Sequence, residues 1–154
     1  MIDKLKLQLD RFVPYTNFVG HNLFVLQSPW ESDCISITKA LMYTEYEIKT
    51  SKSDFRSDFR KVSSKYGNGI NEHAYYQGDQ FRKWRREEIP RPKYFYFVTP
   101  KDLLDLSEIP DHCGLLELGT YKLKVKKKAP LLKSKKLSSR QFYNLATKVS
   151  RKRV

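Results

Sequence analysis

The stretch that decides the fold is DCISITKALMYTEYEIK, residues 33–49. Asp33 to Thr38 and Leu41 to Lys49 carry β-branched or aromatic residues at alternate positions, which predicts two strands. Lys39-Ala40 falls between them, where a tight hairpin turn is expected. The register of this hairpin then decides which side chains share a face of the sheet.

Charged residues alternate along the second of these strands. Glu45, Glu47 and Lys49 point to one face, whereas Tyr46 and Ile48 point to the other, towards a core. Two carboxylates and an ammonium group are costly to bury. This face is therefore expected either to be solvated or to hold a charged ligand.

The hairpin loop determines whether a third charged residue joins this face. A three-residue loop, Lys39-Ala40-Leu41, places Asp33 directly opposite Glu47, with the two side chains about 5 Å apart. A two-residue loop places Asp33 opposite Tyr46, on the wrong face. In the first case a divalent cation would relieve the repulsion between the two acids, and Mg²⁺ prefers carboxylate oxygens. The alternative is an exposed face whose charges pair for solubility, and spacing alone does not decide between them.

Further helices and strands alternate along the chain. This alternation predicts an α/β or α+β class with a mixed sheet and helices around it, in one domain spanning residues 1–154. A helix capped by Ser53-Asp54 is expected to place Phe55, Phe59 and Val62 against the core. The other expected elements are an amphipathic opening element at 5–12, strands at 21–27, 93–99, 114–118 and 121–125, and helical segments at 53–66, 72–88, 101–106 and 138–149.

Composition favours a partner with negative charge. Thirty Lys and Arg against seventeen Asp and Glu give a net charge of +13, and such a field attracts polyanions, above all nucleic acid. A solvated basic surface, ribosomal-type RNA binding and an anionic membrane surface are the alternatives. No apolar run approaches the ~20 residues of a membrane span, so a soluble, cytoplasmic protein is expected.

Cysteines and histidines give little support for a further site. Cys34 and Cys113 have no metal-ligand spacing, so both are expected to be buried, reduced thiols. His21, His73 and His112 are scattered, and each is expected to be structural.

Four segments together resemble a known nuclease family. Residues 46–61, YEIKTSKSDFRSDFRK, are similar to the E-x-K-x-S-x-x-D-F-x-x-D-x-x-K block of the MmcB-like DNA-repair nucleases and related phage proteins. YFYFVTP at 94–100, IPDHCGL at 109–115 and KKAP at 127–130 are similar to later segments of the same proteins. Together with Asp33, this pattern resembles the PD-(D/E)XK nuclease superfamily over most of the chain.

The resemblance implies a fold, a cofactor and an activity. It implies Asp33 and Glu47 as metal ligands, the backbone carbonyl of Ile48 as a third ligand, and Lys49 as the catalytic lysine. The fold would be restriction-endonuclease-like, with a core at about 20–130, a variable insert at about 67–92 and a basic C-terminal helix at about 138–154. The cofactor would be Mg²⁺, with Mn²⁺ as a substitute. The substrate would be DNA, in repair, recombination or phage DNA processing within a bacterial or phage-infected cell.

Basic residues outside the site are candidates for contact with the DNA backbone. Lys122 and Lys124 are expected to face outward from a strand whose Tyr121, Leu123 and Val125 face inward. The full candidate set is Arg56, Arg60, Lys61, Arg82, Lys83, Arg85, Arg86, Lys122, Lys124, Lys126 and Lys127.

Three alternatives remain open at this stage. Asp54 is interpreted as a helix N-cap, with Asp58 paired to Lys61 or Lys65, although both acids could instead hold Lys49 against the site. The chain could be a non-catalytic nucleic-acid-binding module on a nuclease-like fold, or an interaction protein that holds an acidic partner. A homodimer would suit a nuclease that cuts both strands.

Overall fold

The computed structural model describes residues 1–61 and 69–152. Its strands are β1 Phe18–Phe24, β2 Glu31–Ile37, β3 Tyr43–Ile48, β4 Lys83–Trp84, β5 Glu87–Glu88, β6 Tyr94–Thr99, β7 Gly114–Leu118 and β8 Leu123–Lys127. Six of them form one mixed sheet in the order β1-β2-β3-β6-β7-β8. Neighbouring strands in this sheet are antiparallel except for the two central pairs, β3 with β6 and β6 with β7, which are parallel.

Helices cover both faces of this sheet, as the sequence predicts for a mixed α/β class. The helices are α1 Ile2–Phe12, α2 Lys52–Ser57, α3 Glu72–Gln77 and α4 Ser139–Lys152. Leu5 and Leu9 of α1 pack with Tyr46 and Ile48 on one face. Phe55 of α2 and the tyrosines of α3 pack with Phe95 and Phe97 on the other. Among the described residues, no helix is long and apolar enough to cross a membrane.

The β2–β3 hairpin has the register that the three-residue loop predicts. Cys34 pairs with Tyr46 and Ile37 pairs with Tyr43. The amide of Thr38 donates to the carbonyl oxygen of Met42 at 3.0 Å, which leaves residues 39–41 as the loop. Leu41 takes the left-handed position with φ of 63°. The prediction is therefore confirmed, and Leu41 adopts a conformation that usually favours glycine.

The helix that follows β3 is shorter than predicted. Its N-cap is Ser51 rather than Ser53-Asp54, because the Ser51 hydroxyl accepts the amide of Asp54 at 3.1 Å. Regular helix ends at Ser57, not near Tyr66. Residues 62–66 of the predicted helix, which include Val62 and Tyr66, lie outside the described residues.

The prediction of one helix from Glu72 to Glu88 is wrong. Helix α3 ends at Gln77, and the short strands β4 and β5 pair as a small hairpin. The buried guanidinium of Arg91 donates to the carbonyl oxygens of Tyr75, Gln80 and Lys133, each at 3.0 Å. These bonds hold the chain in a non-helical path after α3, a tertiary effect that local propensity does not contain.

Strand β7 matches its prediction, but β1 and β8 are displaced. Strand β1 begins at Phe18 and ends at Phe24, three residues before its predicted range at each end. Strand β8 lies at the edge of the sheet, and its register shifts beyond Val125, opposite Leu115 and Leu116. Only Leu123 of the predicted inward set is buried, whereas Tyr121 is 85 % and Val125 52 % exposed.

The helical turn expected at 101–106 is instead a 3-10 helix at Leu106–Glu108. The closing helix is confirmed, while Arg153 lies outside the described residues.

Candidate functional site

The end of β3 brings Asp33 to the backbone of Ile48. The last backbone pair of the β2–β3 ladder is Cys34 with Tyr46. Beyond it, Oδ2 of Asp33 accepts the amide of Ile48 at 2.8 Å, in place of a strand carbonyl. Because the amide and carbonyl of a strand residue leave on the same side, the Ile48 carbonyl also points towards Asp33. The Asp33 carboxylate therefore lies at the edge of β3 beside Ile48. That Asp33 and the Ile48 carbonyl are metal ligands stays a prediction, which the family resemblance implies.

Glu47 precedes Ile48 in β3, and nearby carboxylates repel its charged form. Its side chain is 17 % exposed. Burial raises the pKa of Glu47 well above its usual range, and repulsion from Asp33 and Glu45 raises it further. A divalent cation between Asp33 and Glu47 would remove this repulsion. Two carboxylates, one carbonyl and waters are a donor set that suits Mg²⁺.

Lys49 is buried yet remains charged. Its side chain is 3 % exposed, and its Nζ lies 2.7 Å from Oδ1 of Asp58 and 3.7 Å from Oε1 of Glu47. Burial alone would lower the pKa of Lys49, but the hydrogen bond to Asp58 and the charge of Glu47 outweigh it and raise the pKa. The ammonium group is thus held at a fixed place beside Glu47.

The two acids of α2 and the turn after it hold this lysine. The interpretation of Asp54 as an N-cap is wrong, since its amide is the group that Ser51 caps. The Asp54 carboxylate instead lies 3.5 Å from the Lys49 Nζ. Asp58 pairs with Lys61 at 3.3 Å as predicted, and it also binds Lys49. Burial would raise the pKa of Asp58, but interactions with His73 and Lys49 lower it to about 2.

Glu45 has a different environment from the one the sequence indicates. It is neither solvated nor positioned for a charged ligand, because its side chain is fully buried. The Tyr76 hydroxyl donates to Oε1 of Glu45 at 2.7 Å. Burial raises the pKa of both Glu45 and Glu72, and the two carboxyl groups influence each other. Burial favours the protonated, uncharged form of a carboxyl group, and this form can be accommodated in the core.

The structure brings together two histidines that no sequence pattern pairs. Nδ1 of His73 lies 3.0 Å from Nε2 of His112, and both residues are buried. The Gln77 amide contacts Nδ1 of His112 at 3.0 Å, and Nε2 of His73 lies 3.8 Å from Oδ2 of Asp58. Burial, His73 and Lys127 lower the pKa of His112 to about 4, so its ring is neutral. No local spacing signals this contact, because it depends on how α3 packs against residues 111–113.

Both cysteines are free and buried, as predicted. Cys34 packs with α1, whereas Cys113 lies beside the paired histidines. In the described part of the chain, His73, His112 and Cys113 are the three ligand side chains whose donor atoms all lie within 4.8 Å of one another.

Four of the predicted DNA-contacting residues already have partners within the chain. Arg56 lies 3.5 Å from Glu108, and Lys126 lies 3.6 Å from Glu117. Lys61 binds Asp58, and the Nζ of Lys127 donates to the carbonyl oxygen of Pro110 at 2.8 Å. Within residues 1–61 and 69–152, no ion pair is formed by the other seven candidates, Arg60, Arg82, Lys83, Arg85, Arg86, Lys122 and Lys124.

The overall fold has a counterpart among solved structures. A protein of unknown function from Silicibacter pomeroyi superposes with a TM-score of 0.59 at 14 % sequence identity, over 97 % of this chain and 84 % of that one. This similarity shows a shared fold. No protein-family model matches the chain, and no curated protein matches it significantly in sequence.

Proposed function

We propose that the chain is a Mg²⁺-dependent deoxyribonuclease with a restriction-endonuclease-like fold, acting on DNA in the cytoplasm. The observation that supports it is the arrangement at the end of β3. There the Asp33 carboxylate accepts the amide of Ile48, and Glu47 lies beside the buried, charged Lys49. A repulsive carboxylate pair beside a fixed ammonium group suits hydrolysis of a phosphodiester.

Each residue has a distinct part in this proposal. Mg²⁺ bound by the two carboxylates would lower the pKa of a coordinated water and neutralise charge on the phosphate. Asp33 and Glu47 supply the oxygen ligands, and the amide of Ile48 fixes the orientation of Asp33. Lys49 stabilises the negative charge that develops on the scissile phosphate. Asp58 keeps that lysine protonated and holds its ammonium group away from a closer ion pair with Glu47.

DNA is the proposed substrate because the charge of the chain favours a polyanion. The net charge of +13 would attract a duplex over a distance. Arg85 and Arg86 form the two central residues of the β4–β5 hairpin, where their guanidinium groups can contact phosphate.

A cleavage assay with matched lysine variants tests the proposal. Linear, nicked and branched DNA would each be incubated with the protein in Mg²⁺, Mn²⁺ or EDTA. We expect cleavage by the wild type in Mg²⁺, none in EDTA, and a loss of at least about 100-fold in Lys49→Ala. Lys52→Ala is the control, since Lys52 lies three residues further on, is 47 % exposed and lies 3.9 Å from Glu108.

The assay also separates the alternatives. Wild-type protein that binds DNA but cuts none of the substrates in either metal would contradict the nuclease proposal and favour a binding module. Protein that neither binds nor cuts would favour an acidic protein partner. An equal loss of cleavage activity in Lys49→Ala and Lys52→Ala would show that Lys49 has no specific catalytic part.

A further inference from the structure

We propose that His73, His112 and Cys113, here called the histidine–cysteine cluster, bind a transition-metal cation of the zinc type. This site is separate from the carboxylate site at Asp33 and Glu47, and it does not depend on the proposed nuclease function. The donor atoms are imidazole nitrogen and thiol sulfur, which favour Zn²⁺, whereas carboxylates favour Mg²⁺.

The donor atoms have nearly the separation that a metal requires. Nδ1 of His73 and Nε2 of His112 face each other at 3.0 Å, and one ring nitrogen of each histidine lies within 4.8 Å of Sγ of Cys113. A tetrahedral Zn²⁺ with bonds of about 2.0–2.1 Å to nitrogen and about 2.3 Å to sulfur separates its donors by about 3.3–3.6 Å. A small outward shift of the two rings would therefore replace the histidine–histidine hydrogen bond with two metal bonds.

The outer nitrogens of both rings face groups typical of partners for metal-bound histidine. Such histidines usually donate their second ring N–H to a carboxylate, carbonyl or water, which fixes the tautomer. Nε2 of His73 is buried without a hydrogen bond among the described residues and faces Oδ2 of Asp58 at 3.8 Å. Nδ1 of His112 meets the Gln77 side-chain amide at 3.0 Å, and rotation of that amide offers its oxygen as acceptor.

One residue of the histidine–cysteine cluster borders a surface cavity. His112 lines an open cavity of about 540 Å³ together with Gln77, Asp79 and Asp111. Three protein ligands leave a fourth position of the tetrahedron for water. The cation would join α3 to the turn before β7, because His73 lies on the helix and His112 and Cys113 lie in the turn.

Titration of chelator-treated protein with Co²⁺ is the direct test. Tetrahedral Co²⁺ at this cluster should give intense visible d–d bands and a thiolate-to-metal charge-transfer band, saturating at one equivalent per chain. The charge-transfer band should vanish in Cys113→Ser. Cys34→Ser is the matched control, because Cys34 is the other buried free thiol, and it should keep the band. A carboxylate site cannot produce this band, so Glu47→Gln should also keep it.

A measurement on wild-type protein guards against a variant that fails to fold. X-ray absorption of the chain loaded with one equivalent of Zn²⁺ should show one sulfur neighbour at about 2.3 Å and nitrogen neighbours at about 2.0–2.1 Å. Absence of the charge-transfer band in wild-type protein, its survival in Cys113→Ser, or an all-oxygen zinc shell would each overturn the proposal.

Discussion

The Nζ of Lys49 lies 2.7 Å from Oδ1 of Asp58, and both side chains are almost fully enclosed. The lysine directly follows the strand that carries Glu47, while the aspartate follows the helix that comes after that strand. A long, flexible side chain is thus fixed at its charged end by the next element of the chain. The position of the ammonium group therefore depends on how α2 packs against the end of β3.

Asp58→Asn should impair catalysis without impairing DNA binding. Because Asp58 raises the pKa of Lys49, its removal lowers that pKa. If Lys49 acts as an ammonium group, the alkaline limb of the pH–rate profile should then move to lower pH. We expect kcat to fall by roughly 10–100-fold with little change in the Kd for DNA. The measurement is a pH series of single-turnover rates.

Asp54→Asn is the control for this prediction. Asp54 contacts the same Nζ at 3.5 Å but is 49 % exposed, so water screens its charge. It should shift the alkaline limb less than Asp58→Asn does. An unchanged pH profile in Asp58→Asn, despite a lower rate, would mean that Asp58 supports the fold and does not control the lysine.

Glu47→Gln should stabilise the protein in the absence of divalent metal. The folded-state pKa of Glu47 is raised above the usual 4.5, so the folded chain retains a proton that the unfolded chain loses. Stability contributed by this group is therefore present below about pH 4.5 and is lost as pH rises towards the folded pKa. At pH values above both pKa values, every tenfold increase in the proton affinity of the folded state lowers stability by about 1.4 kcal/mol.

Thermal melts in EDTA at several pH values measure this effect. Glu47→Gln should melt above the wild type at about pH 8, and the difference should shrink towards about pH 4. Added Mg²⁺ should raise the Tm of the wild type and leave Glu47→Gln nearly unchanged. Equal Mg²⁺ stabilisation of both proteins would show that Glu47 is not a ligand.

The sequence predicts more of the structure of the β2–β3 hairpin than of the insert at 67–92. Strand alternation places Glu47 and Lys49 on one face, and two loop lengths are possible for the position of Asp33. The strand pairing shows the three-residue loop, in which Leu41 lies in the left-handed region. That conformation is costly for leucine and has no signature in the sequence, so the register could be stated only as a condition.

Predictions for the surroundings of the site failed wherever distant residues override local preference. The expected helix from Glu72 ended early because Arg91 binds the carbonyls of Tyr75 and Gln80. His73 and His112 are far apart in sequence, and only the packing of α3 brings their rings together. Neither contact has a period or spacing that a single sequence can display.

Gly114→Ala should destabilise the fold at the junction of β6 and β7. A Cβ at Gly114 would lie 2.4 Å from a ring carbon of Tyr96 and 2.6 Å from the backbone nitrogen of Ala129. The backbone atom cannot move aside, so we expect a loss of about 1–3 kcal/mol in the free energy of unfolding. Gly78→Ala is the control, because its Cβ would meet nothing closer than 3.4 Å. Urea denaturation of both variants measures the difference, and equal stability would refute the close approach.

Replacing Arg85-Arg86 by Asn-Gly should separate stability from DNA affinity. Both arginines have positive φ, 53° and 70°, in the two-residue turn between β4 and β5. Such a turn prefers Asn-Gly, because a left-handed backbone is costly for other residues. Arg85 also lies over the Trp84 ring at 4.4 Å, which offsets part of that cost. The double variant should therefore gain about 1 kcal/mol of stability.

The same double variant should bind DNA more weakly if the hairpin contacts the backbone. Loss of two phosphate contacts should reduce the slope of log K against log salt by about 2. Lys4→Gln/Arg11→Gln on α1 is the charge-matched control, because α1 packs on the sheet face opposite α2 and α3. Fluorescence anisotropy at several salt concentrations gives both slopes. If the two double variants lose affinity equally, the hairpin contributes only its charge. If the hairpin variant alone is weakened while it melts at a higher temperature, the strained turn is retained because its two arginines contact DNA.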